Sequence, residues 1–197
     1  MLKEYGRVRV KATGLYGTIV EWKSGSDHCE IELDWWQQGA QTDEDDLPLR
    51  TFALSEIDEL VEVRNAERKA VFERFDTLIV SSRGYWSPLG GPTVVVGREG
   101  DNIRVGVYSW DIEDGLKANE LAYVESSDAA KLLSAVFATH ADRWIERFAN
   151  FDVLDGYSWT MGVYAGDRYF ECDGLNYTPS ELTSLLHVVN EMGLALT

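Results

Sequence analysis

The chain contains few cysteines and lacks any long apolar run. Cys29 and Cys172 are its only cysteines among 197 residues, too few for a disulfide framework or a cysteine-based metal centre. No stretch approaches the roughly 20 consecutive apolar residues that a membrane-spanning helix needs. The opening residues, MLKEYGRVRV, have no apolar core of the kind found in signal peptides. We therefore expect a soluble, cytoplasmic protein whose thiols stay reduced.

Basic residues are also scarce. The chain has 18 Lys and Arg against 34 Asp and Glu, which gives a formal net charge of -16. Such a field repels nucleic-acid phosphates and attracts cationic partners. Thirteen acidic residues but only two Lys or Arg lie between Glu21 and Glu62. We expect a basic protein partner and no direct contact with nucleic acid or membrane. The alternative is that the acidity only keeps the protein soluble.

Recognised catalytic motifs are missing from the sequence. The three histidines, His28, His140 and His187, belong to no such motif. His28 and Cys29 are not read as a catalytic dyad, because neighbouring residues of a strand point to opposite faces. There is no nucleophile elbow, Walker glycine loop, HExxH helix or Cys-x-x-Cys pair. The acidic residues 43–46 lack the spacing of a calcium loop. We expect a protein that is not an enzyme and has no metal or cofactor; a small hydrolase with an unrecognised site is the alternative.

Residues 7–63 are predicted to form short strands. Cys29, Ile31 and Leu33 alternate with acidic residues, which is the period of a half-buried strand with carboxylates on its outer face. Glycine and polar turns bound the other predicted strands, which contain Val8 and Val10, residues 18–22, residues 49–54 and residues 61–63. A short helical turn is expected at residues 55–57.

The runs GRVRVKATGLYGTIVEW, CEIEL and RTFALSEIDEL resemble a small SH3-like barrel of the KOW-related kind, in which a glycine between the first two strands permits a tight turn. The resemblance covers residues 1–63 and implies a small β-barrel module. Because KOW-type barrels often meet RNA or ribosomal partners, it also implies an alternative role as an RNA- or ribosome-associated factor. This chain, however, carries acidic side chains where a nucleic-acid-binding barrel would need Lys or Arg.

The rest of the chain is predicted to be a connecting helix, residues 64–75, and an α+β domain, residues 76–197. The helix is the most basic segment, through Arg64, Arg68, Lys69 and Arg74, and we expect it to lie against the acidic barrel as an internal counterion. In the α+β domain, strands at residues 77–82, 93–97 and 103–110 are predicted to form an antiparallel meander, followed by a short strand at residues 121–125 and two later strands at residues 159–163 and 169–172. Two helices are also predicted, residues 129–148 and a final helix behind a capping box at residues 178–181. The predicted class is therefore α+β, an SH3-like barrel followed by an antiparallel-sheet domain; a single larger sheet is the alternative.

Two pairs of adjacent aromatic residues flank predicted loops. At least one ring of each pair must face away from the core of its sheet. Exposed Trp and Tyr dominate interface hot spots, and opposite charge raises association rates. The expected partner-binding residues are Trp35, Trp36, Asp43, Glu44, Asp45, Asp46, Tyr85 and Trp86. The alternative is that these rings pack between the two modules.

An acidic, motif-free chain that combines a small barrel with an α+β domain is similar in kind to bacterial toxin immunity proteins, which neutralise a cognate toxin, often a basic nuclease, by covering it. The run DGYSWTMGVYAGDRYFECDGLNYTPSELTSLL resembles the strand, strand, helix endings of such families. This resemblance implies a non-enzymatic toxin inhibitor from a bacterium. A nucleic-acid mimic that inhibits a DNA-binding protein is a further alternative.

Overall fold

The computed structural model describes residues 4–34, 49–84, 93–111, 115–149 and 156–193. The chain divides into two compact units, Met1–Val61 and Glu62–Thr197. Both units contain antiparallel sheet, and the second also contains helices. The predicted α+β class is therefore confirmed.

The first unit is a five-stranded antiparallel sheet within the described residues. Its strands are β1 (Arg7–Val10), β2 (Tyr16–Glu21), β3 (His28–Leu33), β4 (Leu49–Ala53) and β5 (Ile57–Glu59), in the spatial order β4-β3-β2-β1-β5. A 3-10 turn, Leu54–Glu56, joins β4 to β5. The prediction that residues 61–63 close this sheet is wrong, because β5 takes the place beside β1.

Alternation of apolar and polar residues builds the core of this sheet. The predicted alternation in β3 is confirmed, since Cys29, Ile31 and Leu33 are buried while Glu30 is exposed. Gly17 on β2 faces Ile31 so closely that a Cβ at residue 17 would lie 2.5 Å from the Ile31 Cγ2 atom. The remaining core residues are Val8, Val10, Ile19 and Ile57. Closure of the sheet into a barrel stays a prediction.

The second unit contains an eight-stranded mixed sheet in the part of the chain that is described. Its strands are β6 (Val61–Glu62), which spans the boundary between the two units in the chain, β7 (Thr77–Gly84), β8 (Thr93–Glu99), β9 (Asn102–Asp111), β10 (Gly115–Tyr123), β11 (Arg147–Ala149), β12 (Tyr157–Ala165) and β13 (Arg168–Leu175). The order is β10-β9-β8-β7-β12-β13-β11, with β6 also pairing with β13. The meander of β7, β8 and β9 matches the predicted one, whereas β10 begins at Gly115 instead of near residue 121.

Three α-helices accompany this sheet among the described residues: α1 (Ala66–Glu73), α2 (Ser126–Ala138) and α3 (Ser180–Glu191). The core of the unit combines the inner faces of the strands with one face of each helix, for example Leu78, Val105, Leu132, Phe170 and Leu185. α1 packs on β12 and β13, while α2 packs on α3 and β9. Over the described ranges, no helix is both long enough and apolar enough to cross a membrane.

The prediction of one helix over residues 129–148 is wrong, because α2 ends at Ala138. The buried Thr139 donates its hydroxyl to the carbonyl of Val136 (2.7 Å) and accepts a hydrogen bond from the amide of Ala141 (3.3 Å). His140 then takes the left-handed conformation (φ 50°, ψ 37°), which cannot continue an α-helix. The chain continues through a 3-10 turn, Ala141–Arg143, into β11.

The predicted capping box at residues 178–181 does not form. α3 follows Pro179, and no side chain caps its first turn. The Thr178 hydroxyl donates instead to the Tyr157 hydroxyl (2.8 Å), and the Ser180 hydroxyl donates to Glu181 (3.0 Å). Thr178 therefore ties the start of α3 to strand β12 rather than to its own backbone.

Arg68 departs most from what the sequence predicts. It is 4% exposed and lies inside the second unit, so its expected role as a counterion for the acidic barrel is wrong. Its Nη1 donates to the carbonyl of Trp144 (2.9 Å), and its Cζ lies 5.2 Å from the centre of the Phe170 ring. Of the other basic residues, Arg64 pairs with Glu62 (3.7 Å) and Lys69 with Glu73 (3.7 Å) at the surface.

Candidate functional site

The eight residues predicted to bind a partner all lie outside the described residues: Trp35, Trp36, Asp43, Glu44, Asp45, Asp46, Tyr85 and Trp86. The structure does describe the residues on either side of the acidic segment 35–48, namely Asp34, next to the end of β3, and Leu49, the first residue of β4. Since β3 and β4 are hydrogen-bonded neighbours, the outer face of β2, β3 and β4 is a described surface that adjoins this segment in sequence.

Three carboxylates share this outer face. Glu30 and Glu32 are two residues apart on β3 and therefore point to the same side of the sheet. On β2, Glu21 is the register partner of Glu30, at a β-bulge between Ile19 and Glu21 that interrupts the regular ladder. Two like charges thus lie on neighbouring strands at this bulge.

Residues on β4 border these carboxylates. Leu49 stands opposite Glu32, and Thr51 stands opposite Glu30. Leu49 is 43% exposed, one of eight exposed large apolar side chains among the described residues. We call Glu21, Glu30, Glu32, Leu49 and Thr51 the carboxylate face. It combines negative charge with an accessible apolar side chain, which is the composition of an interface that receives cationic residues.

The carboxylate of Asp34, in contrast to those of the carboxylate face, forms a bidentate salt bridge. Both terminal nitrogens of Arg7 on β1 donate to it, each at 2.7 Å from one carboxylate oxygen. In contrast, the ion pair that the structure shows for the carboxylate face is between Glu21 and Lys23, at 3.3 Å with both side chains largely exposed. An exposed pair of that kind contributes little. Within the described residues, salt bridges therefore compensate the charge of the carboxylate face only weakly.

The histidines occupy ordinary surface or turn positions. His28 Nδ1 lies 2.7 Å from Asp27, and this contact lowers the pKa of the Asp27 carboxyl. His187 lies 3.2 Å from Glu191, one turn further along α3. His140 supplies the left-handed residue that follows α2. Each histidine thus has a local structural explanation.

Both thiols are buried. Burial raises the pKa of Cys29, and it raises the pKa of Cys172 to about 11 although the nearby Arg68 acts in the opposite direction. A thiol that keeps its proton is a poor nucleophile at neutral pH. Among the described residues, no group of three or more His, Cys, Asp or Glu side chains is placed to hold a metal ion.

No protein-family model matches the chain, and no curated protein matches it either. The carboxylate face is therefore defined by its geometry alone. Sequence reasoning found the alternating carboxylates of β3, but it missed the pairing of Glu21 with Glu30. Alternation along one strand predicts which face of the sheet each residue occupies. It does not predict which residues of two strands are paired, because turns and core packing determine that register.

Proposed function

We propose that this protein acts by binding a basic protein partner through the carboxylate face, together with the adjoining acidic loop, and not by catalysis. The observation that carries the proposal is the placement of Glu21 opposite Glu30, next to Glu32 and the exposed Leu49. Like charges directly opposite each other destabilise a sheet. The arrangement is useful when a cationic side chain from a partner enters between them.

Electrostatics and apolar contact have separate tasks in this proposal. The net charge of -16 draws a basic partner toward the protein and raises the association rate. Leu49, together with Trp35 or Trp36 beside the predicted acidic loop, then buries apolar area in the complex and slows dissociation. Tyr85 and Trp86 are a second candidate patch for anchoring a partner.

The specific form we propose is a toxin immunity protein, whose partner is a basic, nuclease-like toxin domain. A carboxylate face is suited to such a partner because a nuclease carries positive charge where it holds nucleic-acid phosphates. By covering that charge, the protein would exclude the substrate of the toxin. The same face supports a second form, a nucleic-acid mimic, which would bind several unrelated DNA-binding proteins.

The test is affinity capture from cells of the source organism with three immobilised proteins: wild type, a face variant and a control. The face variant carries Glu30→Gln and Glu32→Gln. The control carries Glu125→Gln and Asp167→Asn, two exposed acidic residues of the second unit. Both variants lose two negative charges, so a general charge effect lowers capture equally in both.

We expect a basic protein that the wild type and the control retain and the face variant loses. A single nuclease-like protein, whose toxicity in cells disappears when this protein is co-expressed, supports the immunity form. Several DNA-binding proteins support the mimic. Equal capture by the two variants, or an acidic captured protein, contradicts binding through the carboxylate face.

A further inference from the structure

A cleft of about 450 Å³ opens in the second unit beside the start of α1. The cleft is lined by Asn65, Arg68 and residues 142–146, which follow α2. A volume of this size lies within the range of small-molecule sites, roughly 300–1,000 Å³. The cleft is independent of the carboxylate face, which belongs to the first unit.

Arg68 brings an incompletely used guanidinium to this cleft. One terminal nitrogen, Nη1, donates to the carbonyl of Trp144 and contacts the Cys172 sulfur at 3.9 Å. The other two nitrogens, Nε and Nη2, are buried and have no hydrogen-bond partner among the described residues. Nε–H and Nη2–H lie along one side of the guanidinium and form a fork that fits the two oxygens of a carboxylate. An unsatisfied buried donor is costly, so this fork is suited to a ligand.

The carboxylate of Glu146 lies near this pair of Arg68 donors but contacts them only weakly. Its Oε1 lies 3.5 Å from Nη2, whereas a charge-assisted bond between a guanidinium and a carboxylate is about 2.8 Å long. The Glu146 side chain is 61% exposed, so it can turn away into solvent without disturbing the core. Glu146 thus shows that a carboxylate reaches Arg68, and that the one present does not satisfy both donors.

We propose that this cleft binds a small monocarboxylate, whose carboxylate replaces Glu146 and accepts from both Nε and Nη2 of Arg68. The charges of the cleft favour a monoanion. The lining contains the two cations Arg68 and Arg143 and the two carboxylates Asp142 and Glu146, so it carries no excess positive charge for a phosphate dianion, and the net charge of the chain repels dianions further.

The apolar part of the ligand has a place as well. Trp144 is partly buried and Ile145 is 60% exposed, and both belong to the cleft wall. A short alkyl group next to the carboxylate can lie against the exposed Ile145 and remove apolar surface from water. Propionate is therefore the simplest probe for the site, and inorganic phosphate is the matched anion without an apolar part.

The experiment is an NMR titration of the ¹⁵N-labelled full chain with propionate and, separately, with phosphate. We expect propionate to shift the Nε–H signal of Arg68 and the amides of residues 142–146, with a Kd on the order of millimolar, as expected for so small a ligand. Phosphate should leave these signals in place. Shifts from phosphate as large as those from propionate, or no shift from either, would overturn the proposal.

Two variants separate ligand binding from a purely structural role of Arg68. Glu146→Gln removes the competing carboxylate from an exposed position and should bind propionate about two- to fivefold more tightly, the gain expected when an exposed ion pair no longer competes. Glu125→Gln, with the same charge change elsewhere, should bind like the wild type. An unchanged Kd in Glu146→Gln would contradict the proposal without any need to replace the buried Arg68.

Discussion

The indole of Trp159 lies against the backbone of Gly174, its register partner across β12 and β13. A Cβ at residue 174 would be 2.2 Å from the Trp159 Nε1 atom. The ring cannot move away easily, because it donates to the carbonyl of Tyr177 (2.7 Å) and packs with Trp144 and Phe148, both at 5.9 Å between centroids. Glycine at residue 174 therefore determines where this aromatic cluster sits.

Gly174→Ala should lower the free energy of unfolding by about 2 kcal/mol, the usual cost of forcing an extra carbon into a packed core. Urea unfolding monitored by far-UV circular dichroism measures the change. In a Trp159→Phe background, whose smaller ring leaves room for the methyl group, the same substitution should cost clearly less. Equal costs in both backgrounds would show that the indole is not the obstacle.

The left-handed conformation of His140 predicts an unusual response to substitution. Glycine adopts this conformation without steric cost, whereas a β-branched residue does so only with strain. His140→Gly should leave stability unchanged or raise it by up to about 1 kcal/mol, while His140→Val should lower it by about 1 kcal/mol or more. Thermal unfolding of the two variants tests the order.

His187 is the matched control, since it is an exposed histidine inside α3. There, His187→Gly should destabilise by about 0.5 kcal/mol, because glycine is the poorer helix former. If glycine has the same effect at residues 140 and 187, the backbone conformation of His140 does not determine its response.

The opposition of Glu21 and Glu30 predicts that the carboxylate face is kept at the expense of stability. Glu30→Gln should stabilise the protein by about 0.2–1 kcal/mol in low salt, and the gain should shrink as salt screens the repulsion. Glu4→Gln, an exposed acidic residue ahead of β1, is the control and should change stability less. A loss of stability in Glu30→Gln at low salt would mean that Glu30 serves the fold.

The buried Cys172 predicts a change of stability at high pH. The ordinary thiol pKa is 9.0, and burial raises the pKa of Cys172 to about 11. Between these values the unfolded chain has lost the proton while the folded protein keeps it, so stability falls as pH rises through this window. Cys172→Ala should show a flatter decline between pH 9 and 11 in urea unfolding; an identical slope would contradict the assignment.

Strand alternation allowed most of the sheets to be predicted from sequence. The apolar residues of β3 recur at period two and are buried as expected. β12 and β13 form the predicted pair of strands, but Met161 to Tyr164 are all buried instead of alternating. The end of α2 could not be predicted in the same way. Trp144 and Phe148 continue the helical spacing of the preceding residues, but in the structure their rings pack against the ring of Trp159. Tertiary packing overrides a local period there.

The spacing of Arg68 from its apolar neighbours already indicated burial, although its charge suggested a surface position. Arg68 is three and four residues before Val71 and Phe72, so it falls on their face of α1, and all three are buried. A positive charge on an otherwise apolar helix face predicts a buried, paired side chain. Its partners could not be predicted, because Trp144 and Cys172 are 76 and 104 residues away in the chain.

The most direct test of the proposed function is the association rate of the captured partner with the wild type, measured by surface plasmon resonance across a range of salt concentrations. Steering by the carboxylate face predicts a wild-type rate that falls steeply with salt. The Glu30→Gln and Glu32→Gln variant should associate more slowly in low salt and depend less on salt, while the Glu125→Gln and Asp167→Asn control follows the wild type. Equal low-salt association rates for the face variant and the wild type would contradict the account.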